Sequence, residues 1–165
     1  MTWLGRTTAP ASLGSLLALR PELLDLHRDF YNKLWNASGV PPRLLELCRL
    51  RVAWRHDCRS ELLIRHPAAG VSDADRGALA DWHRSERFSD CERAALRLAD
   101  QVPWQVGDID DETVAALRRH LADPQVVAVM LALTLFDMHC RLRHGLGVEP
   151  PETAEATNAA LGTLD

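Results

Sequence analysis

Apolar residues recur at helical spacing in one segment after another, and no stretch sustains the strict alternation that a strand requires. Pro21 to Trp35 sets Leu23, Leu26, His27, Phe30 and Leu34 on one stripe behind a first-turn proline, and Asn36-Ala-Ser-Gly39 supplies a stop. A second helix is predicted from Pro42, turning Leu44, Leu45, Cys48 and Val52 inward. Arg49, Arg51 and Arg55 interleave with those positions and predict a cationic surface along it. Asp57 is positioned to cap a helix from Cys58 to about His66, which Pro67 and Gly70 punctuate. Ser72-Asp-Ala-Asp75 and Ser89-Asp-Cys-Glu92 have the form of capping boxes and open two further helices, the first through Leu79 and Trp82. Val102 to Ile109 reads as a loop. Asp110 or Asp111 starts a short helix through Leu117 and Leu121, and Asp123-Pro124 opens a last one reaching about His144. Val126 to Phe136 is apolar on all sides, so this helix is expected to lie centrally or to be covered by a neighbouring subunit. The tail after Pro150 is polar and is expected to be loosely held or used between subunits. The pattern predicts one all-α domain over residues 1–165, a bundle of about six to eight helices.

Composition narrows the function classes. A net charge of -4 gives no basic field to attract nucleic acid. Lys33 is the only lysine beside eighteen arginines, a bias that coding composition explains more simply than binding. Met1 to Thr8 lacks the pattern of a signal peptide, and Val126 to Phe136 is short for a bilayer span, so neither export nor membrane insertion is expected. Cys48, Cys58, Cys91 and Cys140 are scattered singly, which suits a reducing cytoplasm better than a secreted disulfide framework.

Chemistry concentrates between Glu46 and His66. Cys58 is predicted near a helix start beside Arg55, His56 and Arg59, a positive setting that favours a reactive thiolate; the alternative is a small buried core residue. Glu46 reads as an ion-pair partner of Arg43, Arg49 or a neighbouring chain, and Glu61 and Arg65 as an i, i+4 surface pair. If Glu46 and Glu61 face one cleft, their repulsion supplies an acid and a base, with arginine holding an anionic substrate. Asp137, Cys140 and His144 share a helix face and form a weaker metal alternative, with an Asp137–Arg141 ion pair as the simpler account. Trp35, Trp54, Trp82 and Trp104 read as packing anchors, with Trp54 next to the candidate cleft. Cys48 and Cys91 read as core residues, and His83 and His120 as exposed.

The run Glu46 to Glu61, with Leu-Arg-Val-Ala-Trp54 before a break and Cys58 twelve residues after Glu46, resembles the carboxymuconolactone decarboxylase and alkylhydroperoxidase D superfamily. Ala68-Ala-Gly-Val-Ser-Asp73, Ser89 to Leu96 and Leu146-Gly-Val-Glu-Pro150 extend the likeness over about residues 42–150, leaving 1–41 as an N-terminal helical extension and 151–165 as a tail. Members carry a Glu, then Cys-x-x-Cys, then a His four residues later. Here Glu61 stands at the second cysteine and Arg65 at the histidine, with His66 one residue on. The resemblance implies an AhpD-like bundle, a homo-oligomer (trimer, hexamer or dimer), a small-molecule substrate, and no cofactor or metal. It points to Cys58, Glu46, Glu61 and His66 as catalytic candidates, with Arg55, Arg59 and Trp54 as substrate-binding candidates. Three functions follow as expectations: a one-cysteine thiol peroxidase using Cys58, with an external thiol or distant cysteine as resolving group; a cofactor-free acid–base lyase or isomerase acting on a small carboxylated substrate through Glu46, Glu61 or His66; and a non-catalytic oligomeric scaffold.

Overall fold

A computed structural model of the chain describes residues 12–148 and 157–163. The N-terminal residues through Ala11, and most of the tail after Val148, lie outside the described residues. Among the described residues eight α-helices follow one another: α1 (Leu13–Leu17), α2 (Pro21–Ala37), α3 (Pro42–Arg55), α4 (Arg59–Leu63), α5 (Asp73–Ala78), α6 (Asp90–Gln105), α7 (Asp111–Arg118) and α8 (Asp123–Gly145). Tight 3-10 turns at Pro67–Ala69, Leu79–Arg84 and Val106–Asp108 link some of them. The expected loop after Val102 is instead the end of α6, which runs through Pro103 before the turn.

The helix at the centre is α3. Every residue from Leu44 to Ala53 is buried, and α6 and α8 pack along its sides. Each leucine in that run, removed from water, contributes roughly 1.5–3 kcal/mol, so α3 anchors the bundle. The predicted cationic surface along α3 does not exist, because Arg49 and Arg51 are buried with it. Arg51 is held by a bidentate pair with Asp100 of α6 at 2.6 and 3.0 Å and by the Leu79 carbonyl at 2.7 Å. Asp100 also accepts the Trp82 indole N–H at 3.0 Å. Partnered in this way, a buried arginine joins helices at a fixed angle.

Two faces differ from their expected orientation. On α2, Leu24, Tyr31, Leu34 and Trp35 turn inward while Leu23, Leu26 and Phe30 are exposed, so the apolar stripe read from the sequence is largely the outer face. On α8, Ala128, Val129, Ala132, Leu133, Leu135 and Phe136 are core, but Val127, Leu131 and Met138 are exposed; the helix is neither central nor enclosed within the chain. Among the described residues, α8 is the one helix long and apolar enough to cross a membrane. It carries buried His139 and Arg143, however, and packs on α3 and α6, as a core helix does. Of the aromatic anchors, Trp35 and Trp82 are buried and Trp54 and Trp104 are exposed; Trp54 lies under the Arg51 guanidinium at 4.4 Å. Cys91 is only partly buried.

The ends of α3 and α4 set the site. The helix α3 closes with Asp57 in the left-handed region (φ 51°), its N–H donating to the Trp54 carbonyl while that of Cys58 donates to Ala53 at 2.9 Å. This is the bonding of a Schellman stop. Asp57 therefore terminates α3 and Cys58 is the residue that caps α4. After α4 the chain extends as β1 (Ile64–Arg65), which pairs in parallel with β2 (Thr157–Asn158), a contact the sequence pattern did not announce.

Candidate functional site

Glu46 on α3 and Glu61 on α4 come together, but a guanidinium separates them. Arg49 donates to Glu46 through Nε at 2.7 Å and Nη2 at 2.8 Å, and to Glu61 Oε2 through Nη1 at 2.8 Å. It also donates to the carbonyls of Glu61 and Ile64. Arg143 of α8 donates to Glu61 Oε1 at 2.9 Å, and His139 Nδ1 lies 3.9 Å from the same oxygen. Glu46, Arg49, Glu61, His139 and Arg143 are all buried. Two carboxylates and two guanidiniums thus neutralise one another in the interior, the condition under which buried charge is tolerated.

The electrostatics follow from that pairing. Burial alone would raise the Glu61 carboxyl, but Arg143 and Arg49 hold it down at about 2. Burial would also lower the Arg49 guanidinium, yet Glu46 and Glu61 raise it above the ordinary arginine range. His139 is lowered to about 4 by burial, which outweighs the attraction of Glu61. Its Nε2 meets His27 Nε2 at 2.9 Å, and His27 is itself lowered by burial. Glu61 is therefore a fixed anion that structures the site, and the expected Glu61–Arg65 surface pair is absent. Arg65 lies 3.6 Å from Asp73 instead. Mutual repulsion between Glu46 and Glu61, which would have supplied an acid, is cancelled by the intervening arginine.

Cys58 has no exposed surface at all. It lies in the apolar cluster of α3, α6 and α8, which Cys140 of α8 shares, and burial beside Cys58 pushes the Cys140 thiol well above the ordinary range. The positive residues beside it in sequence point elsewhere: Arg55 lies 3.7 Å from Asp100, His56 Nε2 meets Asp137 at 2.7 Å, and Arg59 is on the exposed face of α4. Asp137 also takes Arg141 at 2.8 Å, and His144 Nε2 meets the His56 carbonyl at 2.9 Å. Asp137, Cys140 and His144 are engaged separately, and no group of three metal-ligating side chains occurs among the described residues.

A cleft of about 340 Å³ opens on the other side of the network, lined by Glu46, Arg65, His66, Val71, Asp73, Arg76 and Asn158 among others. Of the seven residues singled out from the sequence, Glu46 and His66 line it, Glu61 lies behind it against Arg49, and Cys58, Trp54, Arg55 and Arg59 do not line it. His66 is buried, stacked obliquely on Trp35 at 5.0 Å, and held below the ordinary histidine range, by burial first and then by Arg49. Its Nδ1 is buried without a hydrogen-bond partner, and so is Nη1 of Arg65. Both residues line this cleft: the Arg65 donor suits an anionic oxygen, and a bare Nδ1 suits a group that brings a proton. Arg76 Nη1 stands 3.7 Å from Glu46 Oε1, and its Nη2 donates to the Leu62 carbonyl. Sequence reasoning missed Arg143, His139 and Asn158. The first two are polar positions inside an apolar helix, a signal that was present; Asn158 belongs to a tail that carries no periodicity.

No family model matches the chain and no curated protein matches it. A solved structure of a protein of unknown function from Agrobacterium tumefaciens, provisionally described as the antioxidant defence protein AhpD, is similar with a TM-score of 0.72 at 21% identity, over 86% of this chain and 100% of that one. The helical bundle expected from the sequence is accordingly this one: the chain has the AhpD-like all-α fold.

Proposed function

We propose that this protein is a cofactor-free acid–base enzyme on the AhpD-like scaffold, acting on a small carboxylated substrate in the cleft between α3, β1 and α5. The observation that carries this reading is His66 Nδ1, buried in the cleft wall with no partner and beside Glu46. Burial keeps the ring neutral at physiological pH, so it can accept a proton. Arg65 and Arg76 supply the positive charge for a substrate carboxylate. Glu46, held by Arg49, orients and balances that charge. The test is solvent deuterium exchange at carbons beside the carbonyl of small oxo- and lactone-carboxylates, followed by proton NMR. The expected result is exchange that falls at least ~100-fold in His66→Gln, the usual size of a general-base contribution. Exchange equal in both proteins, or in neither, overturns the reading.

A thiol peroxidase is the second reading, and one observation favours it: Cys140 is buried in the same cluster as Cys58 and would serve as the resolving cysteine. Cys58 would take oxygen from a hydroperoxide, releasing the alcohol, and Cys140 would displace water from the sulfenic acid to leave a disulfide. Cys58 exposes 0% of its surface, so a hydroperoxide has nothing to meet in the folded chain. With excess dithiothreitol we expect no turnover above background in either the wild type or Cys58→Ser. Turnover that vanishes in the variant would restore this reading.

The homo-oligomer is likewise a proposal. Leu19, Leu23, Leu26 and Phe30 are spaced i, i+4, i+7 and i+11 and are all exposed, with Leu26 at 69%. Such a stripe is costly in water unless another surface covers it. Light scattering after gel filtration should give a multiple of 18.4 kDa, and Leu26→Asp should shift it to the monomer. A monomeric wild type would refute it.

A further inference from the structure

We propose that the groove between α6 and α7 is a binding site for a free α-amino acid with an apolar side chain. A cavity of about 530 Å³ lies there, and it shares no lining residue with the acid–base cleft, so the two readings stand or fall separately. Trp82, Ala94 and Ala116 make part of its wall apolar.

Most of the charge around this cavity is paired. Arg97 donates to Asp110 at 3.0 Å and Arg119 to Glu112 at 3.1 Å. Asp90 and Arg93, also in the wall, are left over and opposite in sign. They stand i, i+3 on α6, a spacing at which a carboxylate and a guanidinium ordinarily meet. Here Arg93 is drawn to the segment before α6 instead. Its Nε donates to the Phe88 carbonyl at 3.0 Å, its Nη1 to those of Trp82 and His83 at 3.2 and 3.1 Å, and its Nη2 to that of Ser85. All four acceptors are neutral. Among the described residues neither Asp90 nor Arg93 has an ion-pair partner.

Local structure accounts for only part of this. The dipole of α6 favours Asp90 in the first turn and opposes a cation beside it. The carbonyl bonds of Arg93 secure the chain from Trp82 to Phe88, yet they neutralise no charge, and a part-buried guanidinium is ordinarily paired. One of its five N–H donors also remains unused. A carboxylate and a guanidinium kept apart on one wall are complementary to a zwitterion, with the ammonium toward Asp90 and the carboxylate toward Arg93. A simple anion would face Asp90 as a like charge, and a simple cation would face Arg93. The apolar part of the wall receives the side chain, and the cavity has the size of a small-ligand site, roughly 300–1,000 Å³.

Calorimetric titration of the full chain with L-phenylalanine tests this. Working at pH 8, where a histidine is ordinarily neutral, keeps His120 of the same wall out of the charge count. The expected dissociation constant is ~1 mM or tighter. The analogues 3-phenylpropanoate and 2-phenylethylamine, each lacking one charge, should bind at least ~10-fold more weakly. Asp90→Asn should weaken L-phenylalanine by a similar factor and leave 3-phenylpropanoate no weaker. Ala116→Leu, which fills the groove, should weaken both, whereas His66→Gln should change neither. Circular dichroism confirms that each variant is folded; Arg93 itself is left in place because it secures the preceding segment. No binding of L-phenylalanine, equal binding of 3-phenylpropanoate, or undiminished binding in folded Asp90→Asn or Ala116→Leu overturns the proposal. Binding lost in His66→Gln places the ligand in the other cleft and overturns it too.

Discussion

Glu61→Cys, which restores the letters of a Cys-x-x-Cys pair to the chain, is expected to destabilise it by about 3–5 kcal/mol, the cost of removing one partner from a buried ionic network. The carboxylate it deletes receives Arg49 at 2.8 Å and Arg143 at 2.9 Å, both guanidiniums being buried. A thiol cannot balance them. Arg49 would keep Glu46, but the net interior charge would rise by one, and a charge left unpaired in the interior is far costlier than any packing defect a cysteine introduces. The variant also gains no dithiol function, since residue 61 faces the arginines. Urea unfolding followed by tryptophan fluorescence checks this, with Glu61→Gln as the comparison that keeps shape and one acceptor. A Glu61→Cys midpoint within about 1 kcal/mol of wild type would mean that the network is slack and that the carboxylate at 61 is not what replaced the cysteine's structural part.

Why the sequence disclosed some of this and hid the rest can be seen residue by residue. Helix count and the capping boxes were legible because they depend on neighbours in sequence: Ser72 and Asp75 bond one another's backbone at 3.0 and 3.1 Å, and Asp110 caps α7 through Thr113. The inward face of α2 was misread because Leu23, Leu26 and Phe30 have the right period, and period alone does not say which side is covered. Glu61 is the sharper case. At i, i+4 from Arg65 it satisfies every local rule for a surface pair, yet two arginines 12 positions before it and 82 after it claim it. Long-range electrostatics overrode a local preference worth only ~0.5 kcal/mol. Cys58 failed in the same direction, since the positive neighbours that suggested a thiolate adjoin it in sequence and point away in space.

Acid should unfold this protein in two stages, and the residues responsible are identifiable. His139 is neutral in the fold with its value lowered from 6.5 to about 4. Between those values the unfolded chain binds the proton and the folded chain does not, so stability rises with pH there and is lost as pH falls from about 6.5 to 4. His27, His56 and His66, each lowered chiefly by burial, act in the same direction. Glu61 is the carboxylate case: its folded value of about 2 lies below the ordinary 4.5, so its contribution is whole above 4.5 and disappears as pH falls through about 2. The His139 and Glu61 shifts are each worth roughly 3 kcal/mol at 1.36 kcal/mol per unit, against a total stability of about 5–15 kcal/mol for a domain of this kind. Thermal unfolding across pH 7 to 3 should therefore show a steep fall already above pH 4.5, where carboxylates alone would give none. His139→Gln keeps a polar partner for His27 without a titrating ring, and should flatten the upper stage while leaving the lower one in place. Equal slopes in the two proteins between pH 6.5 and 4 would mean that His139 carries its proton in the fold, and the charge balance around Glu61 would then have to be redrawn with an imidazolium in it.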